Sequence, residues 1–170
     1  MDKKQKETYQ QLTKQESLKN WRDLARVTLA QLILFNRRRE GEVSKMRFSA
    51  FTVTDDPLHS DVADTLTDLE KKLCGHFKRI EIRGKRDRKV PLLLTPTMQE
   101  SMELLGKTRA ACGVLQHNVY LFARPGQETY LRTQMHKLLG KRERSQVSRA
   151  HIFHKTTETR CNPIKNHEFE

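Results

Sequence analysis

Three consecutive arginines, Arg37 to Arg39, are the residues of this chain best suited to hold a phosphate group. A guanidinium is planar and can donate to two non-bridging oxygens of one phosphodiester at once. A carboxylate follows at Glu42, where it can hold the guanidinium of Arg39 in place. The alternative is that cations at a helix end only complement the helix dipole, which typically contributes about 0.3–1 kcal/mol. Taken alone, the cluster favours that alternative.

A second basic cluster spans residues 78–89, in which seven lysines and arginines stand against two carboxylates. Alternation at Ile80 and Ile82, a polar turn, and an apolar run from Val90 to Leu94 predict a β-hairpin. Pro91 indicates that the returning strand lies at a sheet edge or a bulge. A solvated turn explains the hairpin alone equally well, but the two clusters together favour nucleic-acid contact. The predicted DNA contacts are Arg37, Arg38, Arg83, Arg86, Arg88 and Lys89.

The whole chain is strongly basic, which favours a polyanionic partner. Among 170 residues, 33 lysines and arginines outnumber 21 acidic residues, for a net charge of +12. Duplex DNA is the leading partner, ahead of an acidic membrane surface, and a basic surface that only maintains solubility is the alternative. The polar N-terminus predicts neither a signal peptide nor a membrane span. The presumed DNA partner and the basic run from Gly84 to Lys89 predict a nuclear, intracellular location.

The cysteines and histidines predict neither disulfides nor a metal site. The three cysteines are odd in number and form no C-x-x-C spacing, which indicates a reducing compartment. Four metal-competent residues near the C-terminus match no common zinc-finger spacing, namely His151, His154, Cys161 and His167. We therefore expect no metal and no small-molecule cofactor.

Hydrophobic periodicity predicts a mainly α fold with a small antiparallel β-hairpin or sheet. Apolar residues from Leu18 to Phe35 recur every three or four positions, which is typical of one buried helix stripe. A second stripe predicts a helix over residues 61–77. Thr95 or Thr97 is expected to cap a third helix, and Gly113 is expected to close it.

The remaining segments predict the domain organisation. We expect a short buried strand or turn over residues 119–122 and a fourth helix over 127–139. Residues 1–16 have few apolar anchors and are predicted to be a flexible polar lead-in, outside the core. Residues 141–170 lose all periodicity and are predicted to be a disordered basic tail, which leaves 17–140 as one domain.

The segment from Phe35 to Met46 resembles the first conserved box of the tyrosine recombinases and integrases, where a catalytic arginine precedes a glutamate and an aliphatic residue. The segment from Ile82 to Leu92 resembles that family's β-hairpin with its catalytic lysine. Residues 120–122 fall where the family has a short Leu-Phe segment. The residues of these segments are most similar to those of the Crypton-type recombinase-like proteins. The resemblance runs from about Leu18 to about Leu139 and implies the N-terminal half of a catalytic core.

The resemblance also implies roles for individual residues. Arg39 would bind the scissile phosphate and stabilise its pentavalent transition state, with Glu42 supporting it. Lys85 would be the general acid that protonates the leaving 5′ oxygen. The family's reaction uses no metal, because a tyrosine attacks phosphorus and keeps the bond energy in a phosphotyrosyl link.

The rest of the family's machinery is missing from this sequence. Residues 140–170 contain no histidine followed three positions later by arginine, and no tyrosine. Tyr9, Tyr120 and Tyr130 stand in the wrong part of the order to be the nucleophile. We therefore expect a DNA-binding relic that is inactive as a lone chain.

Two alternatives remain open at the level of sequence. The chain can be an active strand-transfer enzyme that takes the second arginine and the tyrosine from another chain, or a basic protein-interaction module with no nucleic-acid role. The missing half also predicts that part of the Leu18–Phe35 stripe is uncovered, which would favour self-association.

Overall fold

In the described residues, helices pack against one another and against a two-stranded antiparallel sheet. The structure, a computed structural model, describes residues 2–52, 76–84 and 87–132. In chain order the described elements are α1 (Asp2–Lys14), α2 (Leu18–Asn36), α3 (Glu40–Ser44), α4 (Phe48–Thr52), β1 (Lys78–Arg83), β2 (Lys89–Leu94) and α5 (Pro96–Thr108). All of them lie in the first of two units into which the chain divides, Met1–Thr133 and Gln134–Glu170. The predicted mainly α fold with a small antiparallel sheet is confirmed.

Helix α2 lies at the centre of the core. Ser17 caps its start by accepting a hydrogen bond from the Asn20 backbone N–H. Trp21 is fully buried, and its indole N–H donates to the Leu105 carbonyl of α5 at 3.0 Å. The predicted apolar stripe is buried along the helix and uncovered only at its ends, where Leu18 is 44% and Phe35 45% exposed. The helix prediction is confirmed, and the uncovered surface is limited to these two ends.

The prediction of a flexible lead-in over residues 1–16 is wrong, because α1 docks on α2 and α5. Leu12 is fully buried, and Gln5 is buried although its side chain is polar. The Gln5 amide donates to the Thr97 carbonyl at 2.7 Å and to Ser101 Oγ at 2.8 Å. Its Oε1 accepts from Gln31 at 3.0 Å. A hydrogen-bonded amide can be buried at little cost, so this polar helix packs without the apolar stripe that sequence patterns detect.

The prediction of a capped third helix is confirmed in α5. The Thr95 hydroxyl accepts from the Met98 backbone N–H at 3.3 Å, and Pro96 occupies the first turn, where its missing N–H removes no helical bond. The helix ends at Thr108. The prediction that Gly113 closes this helix is wrong, because a separate turn over residues 109–113 follows and ends at Gly113, which has a φ of +78°.

The segment after α5 contains no helix within the described residues. Tyr120 pairs with Arg47 and precedes two buried residues, which confirms the predicted strand or turn over 119–122, but the predicted burial does not extend to Val119, which is 54% exposed. The predicted helix over 127–139 is wrong for residues 127–132. The chain turns at Gly126 and doubles back, so that Ala123 pairs with Tyr130. This local pairing uses backbone groups that a helix would need.

Several predictions fall on residues outside the described ranges. They are the helix over 61–77, except for its last two residues, residues 133–139 of the fourth helix, and the tail over 141–170. Among the described residues, no helix is long and apolar enough to cross a membrane.

The end of α2 directs the chain toward the sheet through an arginine in an unusual conformation. Arg37 caps the helix with φ 50° and ψ 38°, in the left-handed region, and its backbone N–H bonds to the carbonyls of Ile33 and Leu34. The Arg38 N–H bonds back to the Ile33 carbonyl at 3.2 Å. Glycine is the residue that adopts this geometry without strain, so a side chain at position 37 costs stability.

Replacing Arg37 with glycine should therefore stabilise the protein. We expect Arg37→Gly to raise the free energy of unfolding by about 1 kcal/mol, measured by urea denaturation. Arg37→Ala is the matched control, because it removes the same charge but keeps the Cβ atom. Equal stability of the two variants would contradict this explanation.

Candidate nucleic-acid interface

The side chain of Asn36 fastens the end of α2 to the outer edge of β2. Its Oδ1 accepts from the Leu93 backbone N–H at 2.7 Å, and its Nδ2 donates to the Leu93 carbonyl at 3.0 Å. Nδ2 also lies 3.1 Å from the Leu32 carbonyl, the last turn of its own helix. The Asn36 amide thus makes with Leu93 the two hydrogen bonds that a neighbouring strand would make, and it covers the edge of β2 at this residue.

The next contact along the same edge joins Arg38 to Pro91. In the hairpin, Glu81 pairs with Pro91 and Arg79 pairs with Leu93. Residues two apart on a strand direct their backbone groups to the same side, so Pro91 also faces away from β1. Its carbonyl lies 3.4 Å from Arg38 Nη2, and its missing N–H takes nothing from the ladder. The predicted edge position of Pro91 is confirmed.

We refer to these contacts, Asn36 with Leu93 and Arg38 with Pro91, as the edge seam. Neither contact was predicted from the sequence. An asparagine at the end of a helix is usually read as a local cap, and no sequence pattern specifies a partner 57 residues away. The Arg38 Nε is buried and has no acceptor among the described residues. Through its contact with Pro91, Arg38 helps to hold residues 37–39, which we call the arginine segment, against β2.

Helix α3 brings Glu42 to the turn of the hairpin. The Arg39 carbonyl accepts from the backbone N–H groups of Glu42 at 3.1 Å and Val43 at 3.3 Å, and Val43 is fully buried. The Glu42 Oε1 lies 3.6 Å from where a Cβ on Gly84 would stand. A Cβ at Gly84 would also stand only 2.6 Å from Val90 Cγ2, so the packing of Val90 is what requires glycine there. The arginine segment and the hairpin, the two predicted boxes, lie side by side.

The resemblance-based catalytic residues are only partly described. Arg39 is half-buried at the start of α3, and Glu42 is half-buried beside the hairpin turn. Lys85 and Arg86 lie outside the described residues, although their neighbours Gly84 and Asp87 are described.

Several cations of the hairpin form ion pairs with carboxylates of the hairpin itself. Arg83 lies 2.9 Å from Asp87, and Lys89 lies 3.3 Å from Glu81, which also accepts from Arg79 at 3.0 Å. The side chains of Arg83 and Lys89 are 71% and 83% exposed. Exposed pairs of this kind typically contribute about 0–1 kcal/mol, so a phosphate can compete for either cation at little cost.

Two other residues predicted to contact DNA have no carboxylate in the described ranges that a phosphate would need to displace. Arg37 and Arg88 are exposed, and neither has a carboxylate partner within the part of the chain that the structure describes. Counting charges in the sequence could not separate these cations from the paired ones, because pairing depends on which side chains share a face of the hairpin. Arg37 and Arg88 are the predicted contacts most available to a phosphate.

Other chemistries have little support within the described residues. Cys112 is buried, and burial raises the pKa of its thiol, with the nearby charge of Glu16 raising it further. A thiol with a raised pKa is a poor source of the thiolate nucleophile. No three metal-ligating side chains come together in the described ranges, and the candidates His151, His154, Cys161 and His167 lie outside them.

Comparison with known proteins adds no relative. The chain matches no family model, no curated protein and no solved structure. The resemblance to the tyrosine recombinases therefore stays a prediction from two sequence boxes, and any functional proposal rests on the geometry of the interface.

Removing the Asn36 amide should open the edge of β2. For Asn36→Ala we expect faster hydrogen exchange at the Leu93 amide and a free energy of unfolding lower by about 1 kcal/mol. The Leu92 amide points to β1 in this register, so its exchange should change less and serves as an internal reference. Asn36→Asp keeps the acceptor for Leu93 and should lie in between. Unchanged protection of Leu93 in Asn36→Ala would show that the edge seam does not hold the strand.

Proposed function

We propose that this chain binds duplex DNA through its backbone phosphates, as a tyrosine-recombinase-like protein related to DNA integration and recombination. We further propose that it does not cleave and rejoin DNA with its own residues alone. The observation that carries the proposal is the edge seam, which fastens the arginine segment of α2 alongside the basic hairpin. Two cationic groups that are distant in sequence are thereby held next to each other.

The arrangement suits a phosphodiester backbone better than a single small anion. Arg37 and Arg88 are exposed and lie on separate elements, and the paired Arg83 and Lys89 add further charge on the hairpin. Cations spread over a rigid surface match a row of phosphates, and each contact releases counterions from the duplex. Phosphate contacts of this kind set the position of a protein on DNA without specifying a base sequence.

The proposed lack of independent catalysis follows from the residues themselves. By the resemblance, Arg39 with Glu42 would hold the scissile phosphate, and Lys85 would protonate the leaving oxygen. Residues 140–170, where the family's order would place them, contain no tyrosine and no His-x-x-Arg box. Without a nucleophile, positioned cations bind the phosphate but cannot break the phosphorus–oxygen bond.

Salt dependence tests whether the interface is a phosphate contact. Binding of the full chain to a duplex should weaken linearly on a log–log plot against salt. The double variant Arg37→Gly/Arg88→Gln should flatten the slope by about 1.8, because each lost contact accounts for about 0.9. Since Arg37→Gly is expected to stabilise the fold, unfolding would not explain the change.

The matched control removes two exposed cations elsewhere. Lys14→Gln/Lys107→Gln changes the net charge equally, at the last turns of α1 and α5. Its slope should stay close to that of the unchanged chain. Equal slopes for the two double variants would place the DNA contact outside the proposed interface, and the absence of any salt dependence would favour a protein-interaction module.

A suicide DNA substrate tests the catalytic part of the proposal. Such a nicked duplex loses a short fragment after cleavage, which traps a covalent intermediate. We expect no covalent adduct when the full chain is incubated with it, because the sequence lacks the nucleophile. A tyrosine-linked adduct, identified by mass spectrometry of the peptide, would contradict the proposal and show that the chain is an enzyme.

A further inference from the structure

A second basic surface lies outside the arginine segment and the hairpin. Three short stretches of chain meet there, around Arg47, Tyr120 and Tyr130. The Leu121 N–H donates to the Met46 carbonyl at 2.9 Å, which joins the first two stretches. Arg47 stands opposite Tyr120, and Ala123 stands opposite Tyr130, in isolated antiparallel bridges.

The tyrosines of this surface are held in a rigid frame. Their ring centroids lie 5.3 Å apart at an interplanar angle of 65°, and both side chains are half-buried. Each is followed by a buried leucine, Leu121 or Leu131. The buried Asn118 amide donates to two carbonyls of the loop before Tyr130, at 2.8 and 3.0 Å. Partly exposed rings on a fixed backbone present an apolar face without a large loss of conformational freedom on binding.

Two exposed cations flank the tyrosine pair. Lys45 Nζ lies 5.7 Å from the centre of the Tyr130 ring, and Arg47 lies across from Tyr120. Neither has a carboxylate partner in the described ranges. The nearby loop carries one acidic residue, Glu128, which is paired with His117 at 2.8 Å. The surface therefore combines available positive charge with aromatic faces.

We propose that this surface binds single-stranded nucleic acid, with an unpaired base stacked on the tyrosine pair and the adjoining phosphates on Lys45 and Arg47. Every base has a π-face, and stacking on an aromatic side chain is tolerant of sequence. A duplex hides those faces, so the surface selects unpaired strands. Lys45 can leave the Tyr130 ring at little cost, because cation–π contacts at exposed sites are weak. The inference goes beyond the proposed duplex contact, because the two surfaces share no residue.

Comparing two probes on the unchanged full chain tests the role of the base. One is a fluorescent oligothymidylate, and the other is an abasic oligomer of the same length and charge. We expect the oligothymidylate to bind roughly tenfold more tightly, the effect of one stacked base. Equal affinities would mean that only phosphates are contacted and would overturn the proposal.

Variants then locate the stacking contact. Tyr130→Leu should remove most of the preference for the oligothymidylate, whereas Tyr130→Phe, which keeps the ring, should retain it. Tyr130→Leu should leave duplex affinity unchanged, so that failure of this surface is distinguishable from failure of the duplex interface. A full preference in a folded Tyr130→Leu variant, or loss of the preference in Tyr130→Phe, would overturn the assignment.

The charge contribution is tested by Lys45→Gln/Arg47→Gln. This double variant should weaken both single-stranded probes by a similar factor, because both carry the same phosphates. Lys14→Gln/Lys107→Gln is the matched control and should have a smaller effect. If the control weakens the probes equally, the binding reflects net charge alone and the proposed surface is wrong.

Discussion

The hydrogen bonds between the Asn36 amide and both backbone groups of Leu93 fix the position of the arginine segment. A two-stranded hairpin alone is marginally stable in water and has two open edges. The amide closes one edge at a single residue, and Arg38 adds a second contact two residues along the strand. The left-handed turn at Arg37 is needed because the chain must leave α2 and follow that edge within two residues. The local strain at Arg37 is thus tied to the position of the hairpin.

Among the described residues, ion pairs within the hairpin separate the cations that have a carboxylate partner from those that have none. The hairpin gathers many cations, and it offsets part of their repulsion with its own carboxylates, Glu81 and Asp87. These exposed ion pairs are weak and screened by salt. The paired cations can therefore still exchange their carboxylate partner for another anion. Arg37 and Arg88 have no such partner in the described part of the chain, and their charge is directed to solvent. In the proposed function, DNA phosphates would supply the countercharge that the protein itself does not provide at these two positions.

The sequence predicted the elements whose causes are local. The stripe of α2, the cap at Thr95 and the edge position of Pro91 each depend on a few neighbouring residues, and all three are present. The sequence failed where a polar group is buried by a distant partner. The polar composition of α1 predicted a solvated segment. The helix is instead held in the core through Gln5, whose hydrogen-bond partners lie on α2 and α5. Over residues 127–132 the expected helix is replaced by a backbone pairing that periodicity does not detect.

In the candidate site, too, features with local causes could be predicted from the sequence, and contacts between distant residues could not. Residue types predicted which side chains can bind phosphate, since that follows from the chemistry of a guanidinium. The contacts that bring them together, Asn36 with Leu93 and Glu42 beside Gly84, join residues about forty to sixty positions apart, and only the folded chain reveals them. No sequence pattern relates Tyr120 and Tyr130 to Lys45 and Arg47, because these cations belong to a distant segment of the chain.

Hydrogen exchange of the full chain during titration with a DNA duplex tests the central claim most directly. If the edge seam holds the arginine segment and the hairpin as one binding face, the amides of residues 37–42 and 87–90 gain protection together. Both segments then follow the same dependence on DNA concentration, since one binding event covers them. Protection of one segment without the other, or at clearly different DNA concentrations, would contradict the account.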